Sequence, residues 1–293
     1  MKIYQLGVYS LLAFICVNTA TAASRVDETR SIPPDGLVQV DNLAGSVEIT
    51  TWDQAEVNIQ GELGDDVEKL EISESSNGVR IRVKNHQNRR NIDESHLRIR
   101  VPVSASVEAD SVSADISLKG SNGSSIVFNS VSGDLSVTGE PGRVDLESVS
   151  GDVAFGGHTA RASFQTVSGE IEVEGVEAEV RVSTVSGDTE LTGSSIGSGR
   201  FETVSGDLRL KLDVADGGRL DAESMSGDVI LSLPASQQAE FSATTFSGDI
   251  RTEFGDVEQK SRGPGSSLSY RSGSNGTSIE IGSFSGDIRI TEQ

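Results

Sequence analysis

Carboxylates are the side chains in this 293-residue sequence best placed to do chemistry. There are 45 Asp and Glu against 24 Lys and Arg, and nine of the acids recur at a nearly constant interval: Asp115, Asp134, Asp152, Glu170, Asp188, Asp207, Asp228, Asp249 and Asp287. Paired carboxylates can act as general acid and base on a glycosidic bond. A row of them can also share a calcium ion, which takes oxygen ligands and would relieve like-charge repulsion. A third role is structural: an Asp at a turn accepts backbone N–H bonds, and this reading is favoured. The calcium-binding G-G-x-G-x-D repeat is absent, so calcium stays a possible cofactor and no metal ligand is assigned. The histidines, His86, His96 and His158, are scattered without metal-ligand spacing. A single Cys makes neither a disulfide framework nor a thiolate zinc site. No G-x-S-x-G, H-E-x-x-H or P-loop string occurs, and aromatics are only 4%, few for a groove that stacks sugar rings. No catalytic or cofactor-binding residue is therefore assigned. The net charge of −21 repels phosphate and excludes nucleic acid as a partner.

The recurring acids belong to a repeat, S/T-apolar-S-G-D/E-apolar. It reads SVSGDL at 130–135, SVSGDV at 148–153, TVSGEI at 166–171, TVSGDT at 184–189, TVSGDL at 203–208, SMSGDV at 224–229, TFSGDI at 245–250 and SFSGDI at 283–288. A variant, SVSADI, stands at 111–116 and a distant cousin, NLAGSVEI, at 42–49. Successive motif glycines are 18, 18, 18, 19, 21, 21 and 38 residues apart. The last gap reads as two periods, with one coil having lost its motif in the Gly- and Ser-rich stretch 256–280. Within a period, RVDLESVSGDVAF at 143–155 alternates apolar and polar residues on both sides of the Ser-Gly pair. That is strand, corner, strand, with the corner glycine free to take φ > 0. Such units bury an inner face only by stacking. The expected fold is all-β, a right-handed parallel β-solenoid (β-helix) with ~18–21-residue coils, roughly nine to eleven in number. A hexapeptide helix fails because Arg143 and Glu147 fall where small aliphatics are needed. In register, Val131, Val149, Val167, Val185 and Val204 are expected to form a buried ladder continuing into Met225, Phe246 and Phe284. Ser132, Ser150, Ser168, Ser186 and Ser205 are expected to form a ladder of hydroxyls.

The elements before the repeat complete the organisation. Residues 1–22 combine Lys2, an apolar run and Ala20-Thr21-Ala22, the pattern of a secretory signal peptide. Ile15 before Cys16 argues against a lipid-attachment signal, and the apolar run is shorter than the ~20 residues of a membrane span. Residues 23–110 form irregular N-terminal β coils or a cap, and 111–293 the SGD-repeat solenoid continuous with it. VRIRVK at 79–84 and LRIRVPVS at 97–104 place Arg80, Arg82, Lys84, Arg98 and Arg100 on one face. With Arg89 and Arg90 they make a basic island, read as a solvated face rather than a polyanion site.

GSVEITTWD, LRIRVPVSASV, the TVSGDLRL-type repeats and SMSGDVILSLPASQQAEFSATTFSGDIR at 224–251 together resemble the bacterial putative-adhesin family of envelope proteins, a domain-of-unknown-function family. The resemblance covers nearly all of the chain beyond residue 22. It implies a β-solenoid at the cell envelope and carries no catalytic residues with it. The expected function is that of a non-enzymatic, exported, adhesin-like scaffold or binding module. It would be periplasmic or at the cell surface, with an envelope protein or glycan as partner and no transmembrane segment in the mature chain. The alternatives are a polysaccharide-active β-helix enzyme, or an envelope-stress accessory protein with a regulatory partner.

Overall fold

Period-2 alternation becomes strand throughout. A computed structural model of the protein describes residues 24–86, 93–259, 265–274 and 276–293. The expected signal peptide, Arg89 and Arg90 lie outside the described residues. The first third contains β1 (Ser24–Ser31), β2 (Leu37–Trp52), β3 (Glu56–Leu63), β4 (Val67–Ser75), β5 (Gly78–Asn85), β6 (Ser95–Pro102) and β7 (Ser106–Ser121). The middle contains β8 (Ile126–Ser130), β9 (Leu135–Gly139), β10 (Val144–Ser148), β11 (Val153–Gln165), β12 (Ile171–Thr184), β13 (Thr189–Thr203) and β14 (Leu208–Ser224). The last part contains β15 (Val229–Leu233), β16 (Ala239–Thr245), β17 (Ile250–Thr252), β18 (Val257–Gln259), β19 (Ser266–Ser272), β20 (Ser278–Ser283) and β21 (Ile288–Glu292). No helix occurs among the described residues.

The chain is a parallel β-solenoid with two strand ladders per coil. Strands preceding the SGD corner stack in one ladder: β8 on β10, β10 on the end of β11, then β12, β13 and β14. Strands following the corner stack in the other, from β9 through the starts of β11, β12, β13 and β14 to β15. Residues one coil apart pair in register, as in Phe128, Leu146, Phe164, Val182 and Phe201. All five are at most 1% exposed. Their counterparts on the second ladder, such as Leu135, Val153 and Ile171, fill the same core. Each fully buried side chain of this size contributes ~1.5–3 kcal/mol, so the stack is held by its column of aliphatic and phenylalanine side chains. Opposite the SGD corner the chain turns through bulges, with register shifts at Gly156/Thr159 and Glu174/Val176. There Gly139, Gly157 and Gly175 take φ of 146°, 143° and 84°, which only glycine adopts without strain.

Both ends depart from chain order. At the C-terminus, β20 lies between β14 and β16, and β21 between β15 and β17. The last motif thus inserts between the two that precede it in sequence. This corrects the expectation of a motif-less coil at 256–280: the 38-residue interval is not two periods. Within that stretch, β18 and β19 run antiparallel, and β19 pairs with β16 to cover the final edge. At the N-terminus the same device recurs. β2 lies between β7 on one side and β5 and β6 on the other, all parallel. β4 then closes one ladder antiparallel, and β3 and β1 close the other. Antiparallel closing strands occupy backbone groups that a bare parallel edge would offer to another chain. NLAGSVEI belongs to the stack, since Gly45 pairs with Ala114 and Ser46 with Asp115. β7 runs unbroken across position 110, so the repeats and the region before them share one ladder.

Candidate functional site: the SGD corner ladder

Each motif position has a distinct physical task. The leading Ser or Thr points inward and is buried, as at Ser130, Ser148, Thr166, Thr184, Thr203, Ser224 and Ser283. Its hydroxyl accepts the N–H of the glycine three residues on, at 2.8–3.2 Å. A buried N–H at the corner would otherwise go unsatisfied. Sequence reasoning gave these residues no role, although the S/T choice at the head of every string was the signal.

The glycine is required, but not for its φ. None of the motif glycines is in the positive-φ region. A Cβ on Gly151, Gly169, Gly187, Gly206 or Gly227 would overlap the carbonyl oxygen of the glycine one coil back. The corner is a stack of backbones in direct contact. The second Ser of the motif is exposed and donates its hydroxyl to the apolar residue's carbonyl one coil back: Ser132 to Val112, Ser150 to Val131, Ser168 to Val149, Ser186 to Val167 and Ser205 to Val185.

The carboxylates are backbone acceptors. Oδ1 of Asp115 accepts the N–H of Asp134, Asp134 that of Asp152, and Asp152 that of Glu170. The pattern runs again from Asp188 to Asp207, Asp228, Asp287 and Asp249. These bonds are 2.9–3.0 Å long. Charge-assisted bonds of this kind stabilise the ionised form. At Asp188 the Asp207 N–H, joined by the Arg209 guanidinium, holds the carboxyl below its usual range. Among the described residues no group of three or more His, Cys, Asp or Glu is placed to hold a metal ion.

The apolar motif residue faces outward, which corrects the expected buried ladder. Val131, Val149, Val167, Val185 and Val204 are 43–47% exposed, and Met225, Phe246 and Phe284 are 49–59% exposed. The corner breaks the two-residue alternation, and its inward places go to the capping hydroxyl and the glycine. With Val112 these side chains form one column along the narrow edge of the solenoid. The column is held by N–H bonds from the following serines to the carbonyl one coil back, as from Ser285 to Met225 and Ser247 to Phe284. At its C-terminal end the rings of Phe284 and Phe246 stack 5.0 Å apart, with planes 6° from parallel. A depression of about 540 Å³ lies between Met225, Phe284 and Val204, with Glu202 and Glu223 on its wall.

Most of the basic island is paired within its own sheet. Arg82 and Arg80 face Asp41, at 2.9 and 3.7 Å. Lys84 lies 2.6 Å from Glu71 and lowers the pKa of that carboxyl. Arg98 faces Glu48, and Arg100 bonds Asn58 while lying 4.5 Å over the Trp52 ring. His96 and His158 are apart on the surface, near Glu94 and Glu177 respectively.

Parallel two-ladder coils joined by hydroxyl, glycine and carboxylate corners define a β-solenoid repeat protein. The model of the Toastrack DUF4097 family matches residues 38–291, and the chain belongs to that family. Among solved structures it is similar to a putative adhesin from Bacteroides fragilis, at 12% identity over 92% of this chain and 97% of that one, with a TM-score of 0.46. A putative adhesin from Parabacteroides merdae is 10% identical over 92% of this chain and 96% of that one, with a TM-score of 0.44. No curated protein matches. No helix among the described residues is long and apolar enough to cross a membrane.

Proposed function

We propose that this protein is an exported, non-enzymatic, adhesin-like scaffold or binding module of the cell envelope, with an envelope protein or a glycan as its partner. The observation that carries this reading is the engagement of the motif carboxylates. The one row of acids with the spacing for chemistry is bonded to the backbone of successive coils, a task of assembly rather than turnover. What the repeat presents outward is a regular lattice of side chains on a stiff support, the form extended binding surfaces take in solenoids. Calcium is not needed for this reading, because seven of the nine ladder carboxylates already accept an N–H.

Cell fractionation of a tagged full-length copy, together with assays of the purified protein on pectin, alginate and peptidoglycan fragments, tests the proposal. The expected result is recovery from periplasm or cell surface and no polymer cleavage. A cytoplasmic location, or release of unsaturated or reducing ends, would overturn it.

A further inference from the structure

Nearly all large apolar side chains exposed among the described residues lie in one place. Of those at the surface, only Tyr270 is outside the corner column. A chain with a net charge of −21 that keeps an unbroken apolar line on one edge presents an interaction surface, since scattered exposure would need no explanation. The line strengthens toward one end, where valine gives way to Met225, Phe284 and Phe246, in that spatial order.

We infer that this column, anchored at Met225, Phe284 and Phe246, docks an amphipathic helix of a partner protein whose apolar seam is flanked by Lys or Arg. This deepens the binding-module reading and rests on it. Spacing argues for the helix. Column side chains repeat once per coil, ~4.8 Å, and a helix presents its seam about once per turn, ~5.4 Å. An extended strand repeats on one face only every ~6.6 Å and drifts out of step within two coils.

Charge argues for the basic flanks. On one side of the column stand Glu147, Glu202 and Glu223, all exposed or half-buried at the end of their strands. On the other side runs the exposed carboxylate ladder. Glu223 also borders a second depression, about 370 Å³, shared with Asp221, Glu280 and Phe284. Its floor is open because Gly282 has nothing within 4 Å of where a Cβ would stand. Arg219 already pairs with Asp221 and Glu280 there, and Arg200 with Glu202, so the carboxylate that a lysine or arginine reaching past Phe284 would meet is Glu223. A second copy of this chain would set one carboxylate ladder against another, and an anionic lipid surface would meet the same repulsion.

The test uses the purified full-length chain and three synthetic helical peptides of about 20 residues. One has a Leu seam with Lys flanks, one the same seam with Glu flanks, and one the Lys composition with the seam scrambled. Binding is followed by fluorescence anisotropy at physiological salt. The Lys-flanked seam peptide is expected to bind, and the other two to bind about tenfold or more weaker. Phe284→Ser combined with Phe246→Ser should weaken binding about tenfold. Glu223→Gln should weaken it about two- to fivefold, with reduced salt sensitivity. Met225→Lys alone is the second variant, should the double one fail to fold, and it should also abolish most binding. Equal binding of the scrambled peptide, no effect of Met225→Lys, or dimerisation of the wild type that these changes abolish would each overturn the inference. Polymer cleavage measured on the same samples reports separately on the binding-module reading, so the two failures are distinguishable.

Discussion

At the scale of single residues, the corner is a set of small parts with testable tolerances. Gly169→Ala drives a methyl into the Gly151 carbonyl oxygen. It should cost about 3 kcal/mol or more, read from urea denaturation. Gly156→Ala is the control, because its Cβ meets only Thr138 Cγ2 at 3.8 Å; it should be neutral or slightly stabilising. Thr166→Val keeps the shape but removes the acceptor of the Gly169 N–H, and should cost about 1–3 kcal/mol in the same measurement. Asp188 sets a pH dependence. Its carboxyl pKa is depressed in the folded state, first by the Asp207 N–H and then by Arg209. A depressed carboxyl contributes stability above its unfolded pKa and loses it as pH falls through the folded one. Thermal melts of wild type and Asp188→Asn should therefore differ at neutral pH and converge once acidification passes below the ordinary carboxylate range. The side chain is 52% exposed, so solvent screening keeps the difference to a few degrees at most.

At the scale of elements, the interleaved ends make a distinctive prediction. In a solenoid stacked in chain order, removing the last coil merely exposes the one before it. Here β20 and β21 stand inside the stack, and their Ile279, Ile281, Ile288 and Ile290 are each at most 1% exposed. A chain ending at Thr277 would leave β16 and β17 separated from β14 and β15. Hydrogen exchange should then show loss of protection across Ala239–Thr252, well upstream of the deletion, while β8 to β13 stay protected. Unchanged protection at Ala239–Thr252 would contradict the observed strand order. On the basic strands β5 and β6, Arg80, Arg82, Lys84 and Arg98 pair with acids on β2 and β4, while Arg100 bonds the neutral Asn58.

At the scale of the whole molecule, charge and column act together. The ladder carboxylates form a row of like charge, but seven of the nine give an oxygen to an N–H on the next coil, and among the described residues no three converge to hold a metal ion. Millimolar calcium should shift the melting midpoint no more than the same concentration of magnesium. A calcium-specific rise would show that the free ladder oxygens recruit an ion. The apolar column is the complementary case. It contributes little to the folded core because it is outside it, and substitutions there should change association more than stability.

The repeat, its period and its parallel stacking were legible in the sequence, because strand alternation and a fixed interval leave few other ways to bury an aliphatic face. So was the corner, and turn chemistry pointed to its Asp as a backbone acceptor, but the donor turned out to lie one coil on rather than in the Asp's own turn. Which way Val149 or Phe284 points was not legible. Alternation assigns sides only along a straight strand, and at the corner Ser148 and Gly151 take the inward places. The order of the last coils was hidden for a related reason. Gly248 and Gly286 are 38 residues apart in sequence and adjacent in space, and local patterning carries no information about which neighbour a strand will pair with. The sequence by itself determined a stack of identical corners. Only the tertiary structure decided that their apolar members would form a surface rather than a core, because the inward places of the turn are taken by stacked glycine backbone and the capping hydroxyls.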